Sequence, residues 1–570
     1  MNHNIASLKV VRDYCGACHR CIGSCSVKAV RYADGAASIV PDRCIDCGDC
    51  YTACPSSIGF TEDYLSRVRS LTGTGRTVVA SLSPEWMAFY KDIAPCRMIE
   101  ALKLLGFTHV SETALGAECM SAPYADAIRK SGTPVISSFC PAANALVAKY
   151  YPSYVESLAP VASPAVLHAR MLRRIYGPDT AVVCIGACIA IKGAASRGEG
   201  VIDASITFDE LDEWMRMENV SFDLLPGNDS YRFEPFEART GLDYVLPGRF
   251  METSSPHGVV PGLETCSVSG VDNIKRLFEA HRDGIAGHPL YIELYACEGG
   301  CIHGPGRLRH TGYVDGELTL RRCASERSRR PGNDLPLVVT SAYHEPDPVV
   351  CQVNEREIAE VLGDMGVGSY GEAIDCGACG YARCRDFARA VAMGDAVRDM
   401  CSLYLRKMSH DRFSALLAHI HSGVFVADRS LAIVEANDVF VQMMGAGAHT
   451  AYKSSEGLVG VPLGSIAPLA DVVAGMFRSS EELLERDIQV KERMLALTLF
   501  RLPGDMICGV VRNLFLSSVG SGEIVSRSKA VINDNLETVQ KIAYLLGQTA
   551  SRTEAVLNSI IESQTSEYER

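Results

Sequence analysis

The sequence predicts a multidomain chain, α/β in its middle and α+β towards its ends. Three observations carry that prediction. At 570 residues the chain is longer than one hydrophobic core organises. From about residue 76, short apolar strands alternate with helical segments, the pattern of a parallel α/β layer structure. From residue 412 to residue 515, a helix, a strand–turn–strand and three more alternating strands read as an antiparallel sheet domain.

Composition narrows the function classes. A hydrophobic fraction of 47% and a charged fraction of 22% describe ordinary globular domains. A net charge of −13 argues against a nucleic-acid partner, which needs basic stripes to meet phosphates. The one basic run, RRCASERSRR at 321–330, is expected to be a solvated loop between domains. No apolar stretch is long enough to span a bilayer, and MNHNIASLKVVRDYC lacks the apolar run of a signal peptide. The protein is expected to stay in the cytoplasm, where 23 cysteines read as metal ligands in preference to disulfides.

The first of the cysteine groups lies in residues 1–70. CGACHRCIGSC at 15–25 and CIDCGDCYTACP at 44–55 are each Cys-x-x-Cys-x-x-Cys-x-x-x-Cys. The run resembles that of bacterial two-cluster ferredoxins, in which the fourth cysteine of each run reaches across to the other cluster. Cys15, Cys18, Cys21 and Cys54 are thus assigned to one [4Fe–4S] cluster, and Cys44, Cys47, Cys50 and Cys25 to the second. Ser26 stands where a proline usually follows the first run, whereas Pro55 follows the second.

Residues 75–345 form the next segment. RTVVASLSP reads as a buried strand, MIEALKLLGF as an amphipathic helix and THVSETALGAE as a strand with a loop. TPVISSFCP, TAVVCIGAC and PLYIELYACEGGC are short β-rich runs, each delivering a cysteine at or beyond its carboxyl end. Parallel α/β sheets gather their sites at those ends, so the three runs predict one shared site. The Thr-Phe-Asp-Glu-Leu start at 207–211 reads as a capped helix, residues 221–265 as irregular loops, and about 307–350 as a domain boundary.

Beyond the boundary, residues 350–408 hold Cys376, Cys379, Cys384 and Cys401, with the last cysteine one helix away. The pattern resembles the small four-cysteine [4Fe–4S] domain of several anaerobic metalloenzymes, with zinc as the alternative. Residues 409–518 resemble a PAS sensory domain in the strand–turn–strand before EAN and in the closing strands, with a helix opened by Asn437. His419 and His421 read as surface or capping residues. Residues 519–570 carry Val539, Ile542, Leu546, Val556, Ile560 and Ile561 at helical spacing, a tail suited to homodimerisation or a partner contact.

Cys140 in SSFCP, Cys188 in IGACIAIK, and Cys297 and Cys301 in ELYACEGGCIHGPG sit beside small residues that let backbone amides approach a cluster. These stretches resemble the three signatures of the [FeFe]-hydrogenase family. The resemblance implies an H-cluster: a [4Fe–4S] cube on these four thiolates, bridged through Cys301 to a diiron unit carrying CO, cyanide and a dithiolate amine. Ser83 and Pro84 in ASLSPEW match the stretch packed near that unit. The whole arrangement resembles the sensory [FeFe]-hydrogenases. It combines a two-cluster ferredoxin module, an α/β core, a small helical [4Fe–4S] domain, a PAS domain and a helical tail. It implies four [4Fe–4S] clusters, H2 and protons as ligands, a redox partner such as ferredoxin, and a separate kinase or serine/threonine phosphatase.

Three positions depart from the family pattern. Phe139 replaces the cysteine that relays protons, Ile191 replaces a lysine (Lys192 is next door), and Tyr295 replaces a methionine. The departures imply slow turnover, because phenylalanine has no exchangeable proton. Three readings stay open: a hydrogen or redox sensor, a slow ferredoxin-linked hydrogenase, and a non-catalytic protein that keeps only the cubane. Cys96, Cys119, Cys184, Cys266, Cys323, Cys351 and Cys508 are expected to be buried, inert thiols.

Overall fold

The computed structural model describes residues 7–54, 58–60, 62–131, 133–196, 201–250, 252, 263–281, 284–285, 290–307, 313–330, 348–349, 353–367, 373–454, 458–490, 493–514, 531–532, 536–537 and 539–541. They fall into two compact units, Met1–Val397 and Arg398–Arg570. The division lies between Cys384 and Cys401, inside the segment expected as one small domain.

In the first unit, the cysteine-rich amino-terminal part is framed by two short antiparallel pairs. Leu8–Val10 pairs with Ile58–Phe60, and Val30–Ala33 pairs with Ala36–Ile39. Two five-residue helices, Arg20–Ser24 and Asp49–Ala53, follow the cysteine loops. The loops turn so sharply that Ala17, His19 and Asp46 take positive φ.

The core is α/β, as expected, but it contains two parallel sheets. One has the order His109–Glu112, Val78–Leu82, Ala181–Ile185, Ala204–Ile206. The other has the order Glu264–Ser269, Leu290–Tyr295, Val135–Ile136. Val78–Leu82 and Ala181–Ile185 are buried at every position, which is why their sequences are unbroken apolar runs in place of alternating ones. Helices Pro95–Leu104 and Phe208–Met217 pack apolar faces into the core, and Thr207 and Glu210 form the reciprocal cap that Thr-Phe-Asp-Glu predicts.

Two local expectations are corrected. THVSETALGAE is not strand and loop: after His109–Glu112 comes a helix, Ala114–Glu118. RRCASERSRR is not a solvated interdomain loop. Its first seven residues end a helix, Tyr313–Arg327, that buries Leu320 and Ala324 in the core. Arg327 Nη1 lies 2.7 and 2.8 Å from the two carboxylate oxygens of buried Glu112. A long arginine stem can line apolar surface while its head pairs, so a basic run does not by itself mark a loop.

In the second unit, the five-stranded antiparallel sheet runs Ile433–Ala436, Gly423–Asp428, Met506–Asn513, Arg493–Leu502, Leu483–Val490. Asn437 opens the helix Asp438–Met444: its Oδ1 accepts from Phe440 N and Val424 N. Phe425, Phe440, Leu469, Val473, Leu495 and Val511 form the core on one face. Val424, Val426, Phe500 and Cys508 on the other face are covered by Leu417, with Val539 packed against them. The remaining tail residues, Ile542, Leu546, Val556, Ile560 and Ile561, lie outside the described residues.

Removing Arg327 alone strands a buried carboxylate, so Arg327→Met is expected to cost about 3–5 kcal/mol, read as a lower thermal midpoint. The double variant Glu112→Gln, Arg327→Met is expected to recover most of that loss. A second expectation concerns His168, fully buried between Ser81 Oγ at 2.7 Å and Ser111 Oγ at 2.9 Å. Burial lowers its pKa to about 3. Below the ordinary value of about 6.5 the unfolded chain takes a proton that the folded chain refuses. Stability therefore falls on acidification, by about 1.4 kcal/mol per pH unit from this group. Thermal midpoints between pH 7 and pH 5 should fall less steeply in His168→Gln.

Candidate metal centre

One cavity in the first unit is lined by the sulfur-bearing residues Cys140, Cys188, Cys297 and Cys301 together. They arrive from strands of both sheets. Val135–Ile136 runs through Ser137 and Ser138 to Cys140, which caps the helix Pro141–Tyr150. Tyr124 holds the turn by accepting from Ser138 N at 2.7 Å, and Asn144 Nδ2 donates to Ser138 O at 2.6 Å. Ala181–Ile185 ends three residues before Cys188, and Leu290–Tyr295 ends two before Cys297. Gly300 N donates to Cys297 O and Gly304 N to Cys301 O, closing the turns that carry the last two sulfurs.

The four cysteines are half-buried, each lining the cavity, and the protein packed around them governs how their thiols titrate. Burial, then the neighbouring Cys140 sulfur, pushes Cys188 up to about 12. Burial raises Cys297 and Cys301 well above the thiol range, with charge from the other sulfurs and Glu85 adding to it. Opposing this, the amides of Ala296, Ala142 and Ala143 face Cys140, and those of Ile191 and Ala190 face Cys188. Buried thiols that repel one another and meet backbone amides fit a cationic iron cluster, which ionises its ligand thiols outright. Among the described residues, no group of three or more His, Cys, Asp or Glu side chains is arranged to hold a single metal ion.

The rest of the wall decides what can happen beside those sulfurs. Phe139, Ile191, Tyr295 and Ser83 line the cavity. Pro84 and Lys192 are not among the residues that line it. Lys192 is fully buried, donates to Glu210 Oε2 at 2.5 Å and Ser205 O at 3.1 Å, and lies 4.3 Å from the Tyr64 ring centroid. Its charge is spent in the helix cap and does not reach the cavity. Phe139 and Tyr295 meet as tilted rings with centroids 5.0 Å apart, and Phe139 meets Phe250 in the same way at 5.8 Å. The Tyr295 hydroxyl faces Tyr244 O, Leu246 O and Glu293 Oε2, each at 3.1 Å, so its polar end belongs to the wall.

Two residues that motif reading missed also line the cavity: Glu85 and Tyr244. Glu85 is 1% exposed, and its Oε2 has no hydrogen-bond partner. Tyr244 Oη and Ser83 Oγ lie 3.3 Å apart. Glu85 sits inside the quoted ASLSPEW stretch, and its acid next to an apolar strand was the available signal.

The amino-terminal cysteines separate into two neighbourhoods. Burial, then the charges of Cys18, Cys54 and Cys15, push Cys21 up to about 12. Cys47 feels Cys25 and Cys50, and Cys50 feels Cys25 and Cys44. The structure thus places Cys54 with the first run and Cys25 with the second. Gly48, at φ +85°, lies against the core: a Cβ there would sit 2.4 Å from Pro305 Cγ. Asp46 and Cys47 line the central cavity directly.

In the third group, Cys379 is buried, Cys376 is exposed and Cys384 opens the helix Cys384–Ala392. Cys401 belongs to the second unit, where it caps the helix Ser402–His419. His419 and His421 are exposed. Among the remaining thiols, Cys184 and Cys508 are buried and Cys96, Cys119 and Cys323 half-buried. Cys266 is exposed, against expectation, because its strand Glu264–Ser269 is a sheet edge. Cys351 lies outside the described residues.

Residues 76–305 match the family model of the iron only hydrogenase large subunit, C-terminal domain. Residues 7–55 match the 4Fe-4S dicluster domain, and residues 373–402 match an Fe-S cluster family. The chain is therefore a hydrogenase-like iron–sulfur protein with a ferredoxin domain ahead of its α/β core. It is similar to the NADP-reducing hydrogenase subunit HndD of Solidesulfovibrio fructosivorans, 24% identical over 438 residues that cover 63% of this chain and 73% of that protein. Among solved structures it is similar to a variant of the [FeFe]-hydrogenase HydA1 from Chlamydomonas reinhardtii, with 19% identity and a TM-score of 0.36 over 46% of this chain and 87% of that one. It is also similar to the PAS domain of an HTR-like protein from Haloarcula marismortui, with 19% identity and a TM-score of 0.16 over 19% of this chain and 99% of that one.

The wall position of the Tyr295 hydroxyl has a measurable consequence. Tyr295→Phe leaves buried acceptors without their donor and is expected to cost about 1–3 kcal/mol of stability. Iron content in that variant should be unchanged, because no sulfur moves. Thermal unfolding and iron analysis of the same preparation check both statements.

Proposed function

We propose that the chain is a hydrogen- or redox-sensing iron–sulfur protein whose central cluster binds or slowly oxidises H2. Cys140, Cys188, Cys297 and Cys301 hold the cubane of an H-cluster, with Cys301 as the bridge to a diiron unit. Cys15, Cys18, Cys21 and Cys54 hold a second cubane, Cys44, Cys47, Cys50 and Cys25 a third, and Cys376, Cys379, Cys384 and Cys401 a fourth. When bound, an H-cluster supplies H2 binding and electron acceptance. The chain's own residues supply thiolates, amides facing the sulfurs and the rings of Phe139 and Tyr295 in the wall.

The observation that carries the reading is the composition of that wall. Phe139 stands beside Cys140 with no proton to give, and Lys192, the nearest cation in sequence to Ile191, is held by Glu210. A site that binds but relays protons poorly suits detection better than turnover. The antiparallel sheet of the second unit is read as a PAS domain that receives the signal. The output is assigned to a separate kinase or serine/threonine phosphatase, with the tail as a dimerisation element. Ferredoxin is the proposed redox partner.

One observation favours the second reading, a slow ferredoxin-linked hydrogenase. Glu85 offers an unpartnered carboxyl oxygen to the same cavity, next to Ser83 and Tyr244. It is a place to hold a proton that Phe139 does not provide.

Infrared spectroscopy of protein matured with the diiron cofactor tests the reading. CO and cyanide bands that shift under H2, with turnover far below that of a catalytic hydrogenase, are the expected result. Vigorous turnover would favour the hydrogenase, and absent bands the cubane-only protein. Before diiron loading, about sixteen irons are expected from four cubanes, and about eight would remove two of the assignments.

A further inference from the structure

The first cysteine loop and the loop 376–384 touch within the first unit, through one lysine side chain and a close approach of backbone. Lys28 Nζ donates to Ile22 O at 2.8 Å and Gly23 O at 3.3 Å on one side, and to Gly380 O at 3.1 Å on the other. It also lies 5.4 Å from the ring centroid of Tyr381. Ile22 follows Cys21, and Gly380 follows Cys379, so one ammonium bridges the residues next to two buried cysteines. Gly380 has φ +84°, and a Cβ there would sit 3.1 Å from His19 O, Gly23 N and Ile22 Cβ. Only glycine lets the loops approach this closely. A second clamp fixes their orientation: Arg43 pairs with both oxygens of Asp395 at 2.6 and 2.7 Å, and Tyr32 N donates to Asp395 O at 2.7 Å.

We infer that the loop 376–384 is the outer terminal of a single-file electron relay, docked on the first ferredoxin loop by Lys28 as its positioning residue. The inference rests on the iron–sulfur reading of both loops. The order follows from adjacency. Asp46 and Cys47 line the central cavity, the neighbourhood of Cys25, Cys44, Cys47 and Cys50 comes next, and that of Cys15, Cys18, Cys21 and Cys54 follows. Gly380 meets the last of these. In the terminal step one electron leaves the reduced cluster of the first ferredoxin loop and enters the oxidised cluster of the loop 376–384. The donor is oxidised by one electron, the acceptor is reduced by one, and no bond or proton changes hands.

The test uses the full chain, reconstituted anaerobically with iron and sulfide, fully reduced and examined by electron paramagnetic resonance. The expected spectrum shows magnetic interaction between the two clusters. Lys28→Met should keep the iron content and lose that interaction. Gly380→Ala, which adds a carbon at the joint, should weaken it without touching Lys28. Interaction that persists unchanged in both variants at full iron content overturns the relay, as does its absence from the unaltered protein. If Cys376→Ala with Cys379→Ala loses no iron, the cluster reading of that loop falls, and the relay with it. Iron analysis thus separates the two kinds of failure.

Discussion

A thiol must lose its proton to bind iron, and burial makes that loss expensive. The central cavity brings four such groups together, with no Lys, Arg or His among the described residues that line it. Each sulfur also repels the others, which burial strengthens because there is little water to screen them. What offsets this is fixed in the backbone: amides of Ala142, Ala143 and Ala296 at Cys140, and of Ala190 and Ile191 at Cys188. Those amides are available because the sulfurs sit where strands end and helices begin. The two parallel sheets exist, in this sense, to deliver strand ends to one point. On the proposed iron–sulfur reading, cluster binding and folding of the core would be coupled, since iron would replace the protons that burial holds on.

The same logic explains the character of the wall. A cation near the sulfurs would ease their ionisation, and the chain has a lysine within reach in sequence. Lys192 turns away because Glu210, already accepting from Thr207 in the helix cap, offers a buried carboxylate. Without that charge the cavity is closed by rings and aliphatic carbon: Phe139, Tyr295 and Ile191, with Phe250 packed behind Phe139. Glu85, Ser83, Tyr244, Asp46 and Ser163 supply the polar part of the wall. The carboxyl of Glu85 adds negative charge where sulfurs are already crowded, so its burial favours the neutral, proton-bearing form.

Much of this was legible in the residues. Cysteine spacing separates the ferredoxin runs because three thiols on one tight loop leave little freedom. Asn437 and Thr207 announce their helices because caps are local hydrogen bonds between near neighbours. What was not legible depends on partners distant in sequence. The helix Tyr313–Arg327 buries few apolar side chains and is secured partly by Glu112, some two hundred positions earlier, so its sequence looks solvated. The direction of Lys192 depends on Glu210, and the exposure of Cys266 on its strand lying at an edge. Glu85 was visible as a residue but silent as a site, since an acid after a strand is ordinarily a turn residue.

The joints at the two ends of the ferredoxin module are built alike. Gly48 follows Cys47 at φ +85° and lies against Pro305 and Ile189 of the core. Gly380 follows Cys379 at φ +84° and lies against His19, Ile22 and Gly23. In both, a left-handed glycine next to a cysteine removes the side chain that would hold two loops apart. At Gly380 the close neighbours are His19 O, Gly23 N and Ile22 Cβ, atoms fixed by the backbone, and at Gly48 they are the rigid Pro305 ring and Ile189 Cδ1. A relay needs fixed distances more than it needs strong binding. A glycine at each joint provides that fixity at a small cost in chain entropy, and a ring of ordinary side chains would not.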